Sequence, residues 1–357
     1  MTVEFPIPIQ NLYYLFCYAW NRLEEGGVVD VGGVDSPELA DLFATVLIGA
    51  LKHLIRRGID RGYMPIEEEL STLRGRVKFQ DSMQLMVRRT PRLRCEFDEL
   101  RRDILTNQIL KATISRLVEV AGIGKELAHE LRMLLRVLND VSAIQLSKSM
   151  FRQVQIYRHN AFYDFLVRIC ELIYDSTLPE GRGDRYRFSD ILRDEKKMAL
   201  VFQDFVRNFL RLEQTHYRVT PLQMRWDAIS SEDQLQMLPL MRTDIHLENA
   251  DRRIIIDTKY YSQTLQQHHG KSSLHSENLY QMFSYLKNAE ALGDPYRYAE
   301  GILLYPAVGD PIAFGADIQG HHVRVCTVKL DQRWQRIRSD LLAMIGLPVA
   351  PGIAATA

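Results

Sequence analysis

Cysteine is scarce in this chain: four of the 357 residues are cysteines, namely Cys17, Cys95, Cys170 and Cys326. They lie far apart in the sequence, without a Cys-x-x-Cys pair and without a Cys/His cluster at the spacing of zinc ligands. This pattern argues against a zinc ribbon and against a disulfide-stapled secreted domain. We expect reduced core thiols in a cytoplasmic protein.

An excess of charge of either sign is also missing, because 45 Lys and Arg residues balance 45 Asp and Glu residues. Nonspecific affinity for nucleic acid comes largely from neutralising phosphates. The composition therefore argues against a protein that coats DNA through bulk positive charge. Any contact with DNA must be local, or a partner must supply it.

Long hydrophobic runs are absent near the N-terminus. The first basic residue is Arg22, and Gln10, Asn11 and the pair Tyr13-Tyr14 interrupt the apolar stretch before it. The sequence thus predicts neither a secretory signal nor a membrane span, and we expect a cytoplasmic protein without a membrane partner.

A complete phosphate-binding loop is missing as well. The only fragment similar to one is Gly270-Lys271-Ser272, and Leu265 stands where the first glycine of Gly-x-x-x-x-Gly-Lys-Ser/Thr belongs. We therefore expect that the isolated chain hydrolyses neither GTP nor ATP.

The chain is long enough for about two domains with substantial cores. Apolar residues at helical spacing predict helices at 9–25, 36–57, 103–121, 125–139, 157–173, 195–213, 276–291 and 331–344. Apolar alternation predicts strands within 64–100 and at 236–247, 252–260, 300–306 and 322–329. This order predicts an α/β fold with a first domain over 1–155, a second over 156–346 and a flexible tail over 347–357.

The most informative segment is RTDIHLENADRRIIIDTKYY, residues 242–261. A tight turn over 249–252 makes it a hairpin whose register puts Asp244 opposite Asp257. Side chains alternate between the two faces of a strand, so Asp257 and Lys259 lie on the same side. Two carboxylates and one ammonium group are thus expected to converge.

Such a trio suits metal-dependent cleavage of a phosphodiester. Carboxylates hold Mg²⁺ while leaving it some of its waters, and a nearby cation can orient or deprotonate the attacking water and offset charge on the phosphate. The alternative is an exposed hairpin with ordinary ion pairs, which stabilise by only about 0.2–1 kcal/mol each. The spacing alone leaves both interpretations open.

Six runs of sequence resemble the McrC family. These runs are IPIQNLYYLFCYAW, LRGRVKF, CEFDELRRDILTNQILK, LPLMRTDIHL, IIIDTKYY and SENLYQMFSYL. McrC proteins are the cleavage subunits of McrBC modification-dependent restriction systems, and their nuclease domain belongs to the PD-(D/E)xK superfamily. The resemblance covers nearly the whole chain. It implies an N-terminal mixed α/β partner-binding domain over 1–155, followed by a restriction-endonuclease-like PD-(D/E)xK core.

The resemblance also implies an activity and partners. The chain is expected to be a Mg²⁺-dependent endonuclease subunit that acts on double-stranded DNA carrying 5-methylcytosine. Its implied partner is a hexamer of an McrB-like AAA+ GTPase, whose GTP hydrolysis the N-terminal domain stimulates and which recognises the modified base. Two rival hypotheses remain: a noncatalytic regulator of an AAA+ GTPase, and a stand-alone RecB-like repair nuclease.

Within this family pattern, Asp244 and Asp257 are the metal ligands, and the backbone carbonyl of Thr258 is a third. Lys259 is the group that activates water or stabilises the transition state. Gln281 and Tyr285 match the Gln-x-x-x-Tyr of RecB-like members and are expected to support the site from the next helix. All of these assignments await the spatial arrangement of the residues.

One position departs from the pattern. Many relatives carry a Glu in the helix before the hairpin, whereas this chain has Gln203 followed by Asp204, which points about 100° away around the helix. The number of metal ions is therefore open. His246 shares the face of Asp244, and we expect it to be an ordinary surface histidine.

Arginines cluster in the first half of the chain. They are Arg74, Arg76, Arg88, Arg89, Arg92 and Arg94. Such clusters either remain solvated or bind phosphates and acidic protein surfaces. The sequence does not assign them to one of these roles.

Overall fold

The computed structural model describes residues 7–29, 31, 39–155, 160–179, 186–188, 194–260, 266–268, 271–273, 275–307 and 313–347. Packing divides the chain into two compact units. Unit 1 joins the start of the chain to its C-terminal half, Met1–Gly26 with Asp190–Ala357, and unit 2 is the continuous stretch Gly27–Ser189. This division differs from the bounds of 1–155 and 156–346 expected from the sequence.

The helices of the described residues are short to medium in length. In chain order they are α1 (Ile9–Ala19), α2 (Leu23–Gly26), α3 (Leu39–Arg57), α4 (Phe79–Val87), α5 (Leu105–Val118), α6 (Lys125–Val137), α7 (Lys148–Gln153), α8 (Ala161–Ser176), α9 (Glu195–Glu213), α10 (Glu232–Gln236), α11 (Ser276–Ala289) and α12 (Trp334–Met344). Two short 3₁₀ helices, Glu290–Leu292 and Tyr296–Tyr298, follow α11.

The strands form one large mixed sheet, one three-stranded sheet and three two-stranded ribbons among the described residues. In chain order they are β1 (Gly62–Leu70), β2 (Arg76–Val77), β3 (Leu93–Arg101), β4 (Thr177–Pro179), β5 (Tyr186–Phe188), β6 (Arg218–Thr220), β7 (Gln223–Met224), β8 (Met241–Arg242), β9 (Ile245–Glu248), β10 (Arg253–Thr258), β11 (Gln266–His268), β12 (Lys271–Ser273), β13 (Glu300–Ala307), β14 (Ala313–Ile318) and β15 (His321–Lys329). The mixed α/β class predicted from the sequence is confirmed.

The core of unit 1 is a six-stranded sheet in the order β14-β15-β13-β10-β9-β6. The pairs β10–β13 and β13–β15 are parallel, and the other neighbours are antiparallel. Strand β10 lies inside the sheet, and Ile254, Ile255 and Ile256 are fully buried. Because successive side chains point to opposite faces, a continuously apolar strand must be covered on both.

Helix α11 covers one face of this sheet. Met282 and Leu286 of the helix pack in one buried cluster with Ile255 and Leu303 of the strands. The helix approaches so closely that a Cβ atom at Gly301 would meet the sulfur of Met282 at 2.8 Å. Glycine at this position therefore allows α11 to lie directly over β10 and β13.

The start of the chain packs within unit 1, against α9, the helix that precedes the hairpin β9–β10. The amide of Asn208 in α9 donates to the carbonyls of Tyr18 and Ala19 at 3.0 Å each. The amide of Asn11 in α1 donates to the carbonyl of Leu330 at 2.8 Å. Because of these contacts, residues 1–26 belong to unit 1 and not to the expected N-terminal domain. Helical periodicity shows that α1 buries one face, but it does not show which surface covers that face.

Unit 2 combines helices with an exposed sheet. Its sheet has the order β1-β3-β2, and β1 pairs with β3 over nine facing positions from Gly62↔Arg101 to Leu70↔Leu93. We call residues 62–101, which hold β1, β2, α4 and β3, the arm. Cys95 and Phe97 are buried, but most side chains of β1 face solvent.

Several predicted elements differ from the structure. Helix α4 lies in the segment 64–100, where only short strands were predicted because its prolines, Pro65 and Pro91, suggested interruptions. Pro65 does not interrupt β1, since β1 is an edge strand and an edge strand tolerates proline. The helix predicted over 9–25 ends at Ala19, since Asn21 adopts a left-handed backbone with φ of 54°. Strand β14 was not predicted. The prediction of unbridged cysteines is confirmed, since all four are free and only Cys326 is not fully buried.

Candidate active site

The hairpin predicted from the sequence is present with the predicted register. Strands β9 and β10 pair antiparallel from Arg253↔Glu248 to Ile256↔Ile245. The turn is fixed by the side chain of Asn249, whose Oδ1 accepts from the amides of Asp251 at 2.9 Å and Arg252 at 2.8 Å. A side-chain acceptor of this kind replaces a backbone acceptor in the turn.

The two aspartates lie where the hairpin opens. Asp244 directly precedes β9, and Asp257 is the penultimate residue of β10. Oδ2 of Asp244 accepts two hydrogen bonds from Thr258, one from the backbone amide at 2.9 Å and one from the hydroxyl at 3.0 Å. The carboxylate of Asp244 is therefore tied to the strand that carries Asp257.

Asp257 is a buried acid, with 1% of its surface exposed. Nζ of Lys259 lies 2.8 Å from Oδ2 of Asp257. Burial, and then the negative charge of Asp244, raise the pKa of Asp257 to about 6, and the Lys259 ammonium opposes this rise. The carboxylate of Asp244 therefore lies close enough for its charge to disfavour ionisation of Asp257.

A chain of hydrogen bonds extends from Lys259 across α11. Nζ of Lys259 donates to Oε1 of Gln281 at 2.7 Å, and Nε2 of Gln281 donates to the phenol oxygen of Tyr285 at 3.0 Å. The phenol donates in turn to the carbonyl of Arg242 at 3.1 Å. Burial and the charge of Asp257 raise the pKa of Tyr285, which keeps this phenol protonated as a donor. Sequence reasoning placed both residues near the site but did not foresee the contact with Arg242.

The backbone also holds Lys259 in place. Its amide donates to the carbonyl of Leu304 at 2.9 Å, which continues the pairing of β10 with β13 one residue beyond the end of the strand. Asp257 pairs with Leu303 in the same register. The side chains of Asp257 and Lys259 are therefore carried by a backbone that the sheet fixes.

The set of donors fits Mg²⁺ better than a softer ion. No group of three or more His, Cys, Asp or Glu residues with metal-binding geometry occurs in the described part of the chain. Mg²⁺ is commonly bound through one or two carboxylates and keeps several waters, so the carboxylate pair of Asp244 and Asp257 is a donor set of the kind that this ion accepts. Two interacting carboxylates are also a place where a divalent cation relieves like-charge repulsion.

The expectation for His246 is wrong. It is 1% exposed, not a surface residue, and its ring stacks on Tyr296 with centroids 5.6 Å apart. Burial lowers its pKa to about 4, so the ring is neutral at pH 7. The alternation of side chains along the strand predicted that His246 shares a face with Asp244. It gave no information about the 3₁₀ helix Tyr296–Tyr298, which covers His246.

Helix α9 runs beside the end of β10. The ring of Phe202 lies 6.3 Å from that of Tyr260, so Gln203 is in the helix predicted to border the site. Asp204 forms an ion pair with Arg207 of its own helix. Of the loop that follows the hairpin, His269 and Gly270 lie outside the described residues.

Some of the clustered arginines have partners within the arm. The guanidinium of Arg74 lies 3.9 Å from the centroid of the Phe97 ring, and Arg94 forms an ion pair with Glu67 at 3.5 Å. Between Arg74 and Arg76, Gly75 has a φ of 65°, and a Cβ there would meet the carbonyl oxygen of Glu96 at 2.3 Å. Arg74 and Arg76 therefore flank a tight turn of the arm in which only glycine fits at position 75.

Comparison with known proteins decides the family. Residues 12–306 match the family model described as McrBC 5-methylcytosine restriction system component. The chain is 32% identical over 342 residues to the Type IV methyl-directed restriction enzyme EcoKMcrBC of Escherichia coli K12, covering 94% of this chain and 96% of the relative. This chain belongs to the McrBC family. The resemblance inferred from six sequence runs is thereby confirmed.

A solved structure supports the same fold for this McrBC family member. It is described as a refined half-complex from the tetradecameric assembly of Thermococcus gammatolerans McrB AAA+ hexamers with bound McrC. The likeness covers 95% of this chain and 75% of that chain, with a TM-score of 0.59 and 14% sequence identity. At this identity the match concerns the fold alone. Within the described residues, no helix is long and apolar enough to cross a membrane.

Proposed function

We propose that this chain is the Mg²⁺-dependent DNA endonuclease subunit of a 5-methylcytosine-dependent restriction complex, with a PD-(D/E)xK active site. The observation that carries the proposal is the convergence of Asp244, Asp257 and Lys259 at the open end of the hairpin. Membership of the McrBC family supports the restriction role. Ordinary surface ion pairs do not explain the trio, because Asp257 is buried.

In this proposal, Asp244, Asp257 and the carbonyl of Thr258 hold the metal. When bound, Mg²⁺ supplies charge stabilisation to the phosphate and makes a bound water more acidic. The ammonium of Lys259 orients the attacking water and offsets negative charge that develops during cleavage. Its ion pair with Asp257 and its bond to Gln281 keep it at the site before substrate arrives.

Gln281 and Tyr285 act as supporting residues. Both are carried by α11, which packs on the sheet next to the catalytic strand. Their hydrogen bonds connect Lys259 to the backbone at Arg242, two residues before Asp244. A rigid connection of this kind restricts the catalytic ammonium to one position relative to the carboxylates.

The proposed partner is a hexamer of an McrB-like AAA+ GTPase, which the chain stimulates and which brings it to methylated DNA. The arm of unit 2 offers an exposed apolar surface suited to protein contact. Its exposed large apolar side chains are Tyr63, Met64, Leu73, Phe79, Met83, Met86, Val87 and Leu100. We assign partner activation to unit 2 and DNA cleavage to unit 1. The balanced net charge supports the need for a partner, because a chain without excess positive charge has little DNA affinity of its own.

The test is a cleavage assay with the purified chain and its AAA+ partner, on methylated and unmethylated DNA, with GTP and Mg²⁺ added or omitted in turn. We expect cleavage only when partner, GTP, Mg²⁺ and methylated DNA are all present. Stimulated GTP hydrolysis without cleavage would instead identify a noncatalytic regulator. Efficient cleavage by the chain alone would favour a stand-alone repair nuclease.

A further inference from the structure

Thr258 stands between Asp257 and Lys259 in the sequence, and its side chain bonds to a carboxylate on a different segment, that of Asp244. Both its amide and its hydroxyl donate to Oδ2 of Asp244, at 2.9 and 3.0 Å. The residue is 7% exposed, so these bonds are largely shielded from competing water. Two donors therefore fix one oxygen of a carboxylate that comes from a different segment of the chain.

This arrangement has a physical consequence for Asp244. A carboxylate rotates freely about its last bond unless hydrogen bonds select one orientation. Because both donors from Thr258 act on Oδ2, they select an orientation in which the second oxygen is left to another partner. The two bonds from Thr258 oppose rotation of the Asp244 carboxylate out of this orientation.

We propose that the hydroxyl of Thr258 is a positioning group that orients Asp244 for a divalent cation. The proposal rests on the proposed nuclease function. It gives the side chain of Thr258 a role, whereas only its backbone carbonyl was expected from the sequence to take part. Partners that orient metal ligands change metal affinity by about 10–100-fold when they are lost. An effect at the lower end of this range is expected here, because the amide of Thr258 still donates to Asp244 after the hydroxyl is removed.

A purely structural threonine would behave differently. Thr113 is such a residue: it is fully buried in α5, and its hydroxyl donates to the carbonyl of Ile109 in its own helix at 2.8 Å. Removing that hydroxyl changes stability only. Thr113→Val is therefore a matched control for the loss of a buried hydroxyl without any change to a carboxylate.

The experiment is calorimetric titration of the full-length chain with Mg²⁺ at pH 8, in the absence of DNA and partner, with the melting temperature of each variant recorded. The variants are Thr258→Val, Thr258→Ala, Thr258→Ser and the control Thr113→Val. We expect Mg²⁺ affinity to fall about tenfold in both hydroxyl-free variants. It should stay within about twofold of wild type in Thr258→Ser and in the control.

Two variants of different size separate the hydroxyl from packing, because Val keeps the volume of Thr and Ala does not. If one of them fails to fold, the other still reports. Wild-type Mg²⁺ affinity in a folded hydroxyl-free variant would overturn the positioning role and leave the nuclease proposal standing. An equal loss in Thr258→Ser would also overturn it. Absence of Mg²⁺ binding by the wild-type chain would overturn both proposals.

Discussion

Two antiparallel strand pairs of this molecule contrast in their surroundings. The pair β9–β10, which carries the proposed active site, has four facing positions, and five of the six residues of β10 are buried. The pair β1–β3 of the arm has nine facing positions, and six of the nine residues of β1 are exposed. The same local architecture thus serves two environments.

The environments suit different tasks. Burial in the catalytic pair gives Asp257 a raised pKa and makes its interaction with Asp244 and Lys259 strong, because fewer waters screen the charges. Exposure in the arm leaves its charged residues screened, and its apolar side chains are available to a partner protein. We therefore expect changes in the two pairs to affect different activities.

The largest expected effect comes from removing a catalytic carboxylate. Asp257→Ala should lower the rate of DNA cleavage in the presence of partner, GTP and Mg²⁺ by about a thousandfold or more, since several kcal/mol of charge stabilisation are lost. Stimulated GTP hydrolysis should stay near the wild-type rate. Quantified nicking of methylated plasmid measures the first quantity and phosphate release the second.

The matched control is Asp317→Ala, which removes an exposed carboxylate from β14 of the same unit. It should change neither activity. If Asp257→Ala also abolished GTPase stimulation while remaining folded, the separation of the two strand pairs by function would be wrong.

The next effect concerns the arm. The double substitution of Phe79 and Met83 by Ser should lower partner GTPase stimulation about tenfold or more, because the few anchor residues that dominate an interface cost about 2 kcal/mol or more when they are truncated. The side chains are exposed, Phe79 to 77%, so the fold should be little affected. GTP turnover at a fixed concentration of partner is the measurement.

Leu200→Ser is the control for the arm, since Leu200 is an exposed apolar residue of α9 in the other unit. It should leave GTPase stimulation unchanged. Calorimetric Mg²⁺ binding should be equal for the arm variant and wild type. Full stimulation by the arm variant would remove the arm from the proposed partner surface.

A smaller effect is expected from the hydrogen-bond chain on α11. Tyr285→Phe removes the bonds to Gln281 and to the carbonyl of Arg242 while keeping the ring. Cleavage should slow by about tenfold, as is usual when a group that orients a functional residue is lost. Tyr280→Phe, an exposed position of the same helix, should have no effect. Equal rates for both variants would show that the chain of bonds does not support catalysis.

The smallest effect concerns stability in the absence of metal. The pKa of Asp257 rises from 3.8 to about 6 on folding, so its protonated form favours the native state. Its contribution to stability therefore falls as pH rises from about 4 through 6, and it is least favourable above pH 6. Asp257→Asn should stabilise the chain by about 1–3 kcal/mol at pH 8, at about 1.4 kcal/mol per pKa unit, and the pKa of about 6 already includes the opposing effect of Lys259.

This gain should shrink toward zero near pH 4, where the wild-type carboxyl is protonated. Thermal melts of both proteins between pH 4 and 8, without added metal, measure it. A constant difference across this range, or a variant less stable at pH 8 than at pH 4 relative to wild type, would contradict the raised pKa.

The elements and register of the hairpin β9–β10 were predicted correctly from the sequence, whereas the elements of the arm were predicted only in part. The register that faces Asp244 with Asp257 depends on local chemistry: a turn fixed by Asn249 and an apolar run that must be buried. Helix α9 was likewise predicted with its observed bounds, since its apolar stripe is regular. Local patterns suffice where one face of an element is buried.

The arm lacks that information. Helix α4 exposes most of its apolar residues, so its pattern does not follow burial within this chain. The domain boundary was missed for a related reason, because α1 packs against a helix almost 200 positions away in the sequence. The hydroxyl of Thr258 and the phenol of Tyr285 bind to groups in other segments, and periodicity gives no information on such contacts.

The most direct test of the central claim uses Lys259→Ala in one reaction with the AAA+ partner, GTP, Mg²⁺ and methylated DNA. GTP turnover and strand cleavage are followed in the same samples over time. We predict GTP turnover at the wild-type rate with cleavage lowered by about a thousandfold, since the ammonium stabilises charge only during cleavage. Cleavage within a few-fold of wild type by the folded variant would contradict the assignment of the active site.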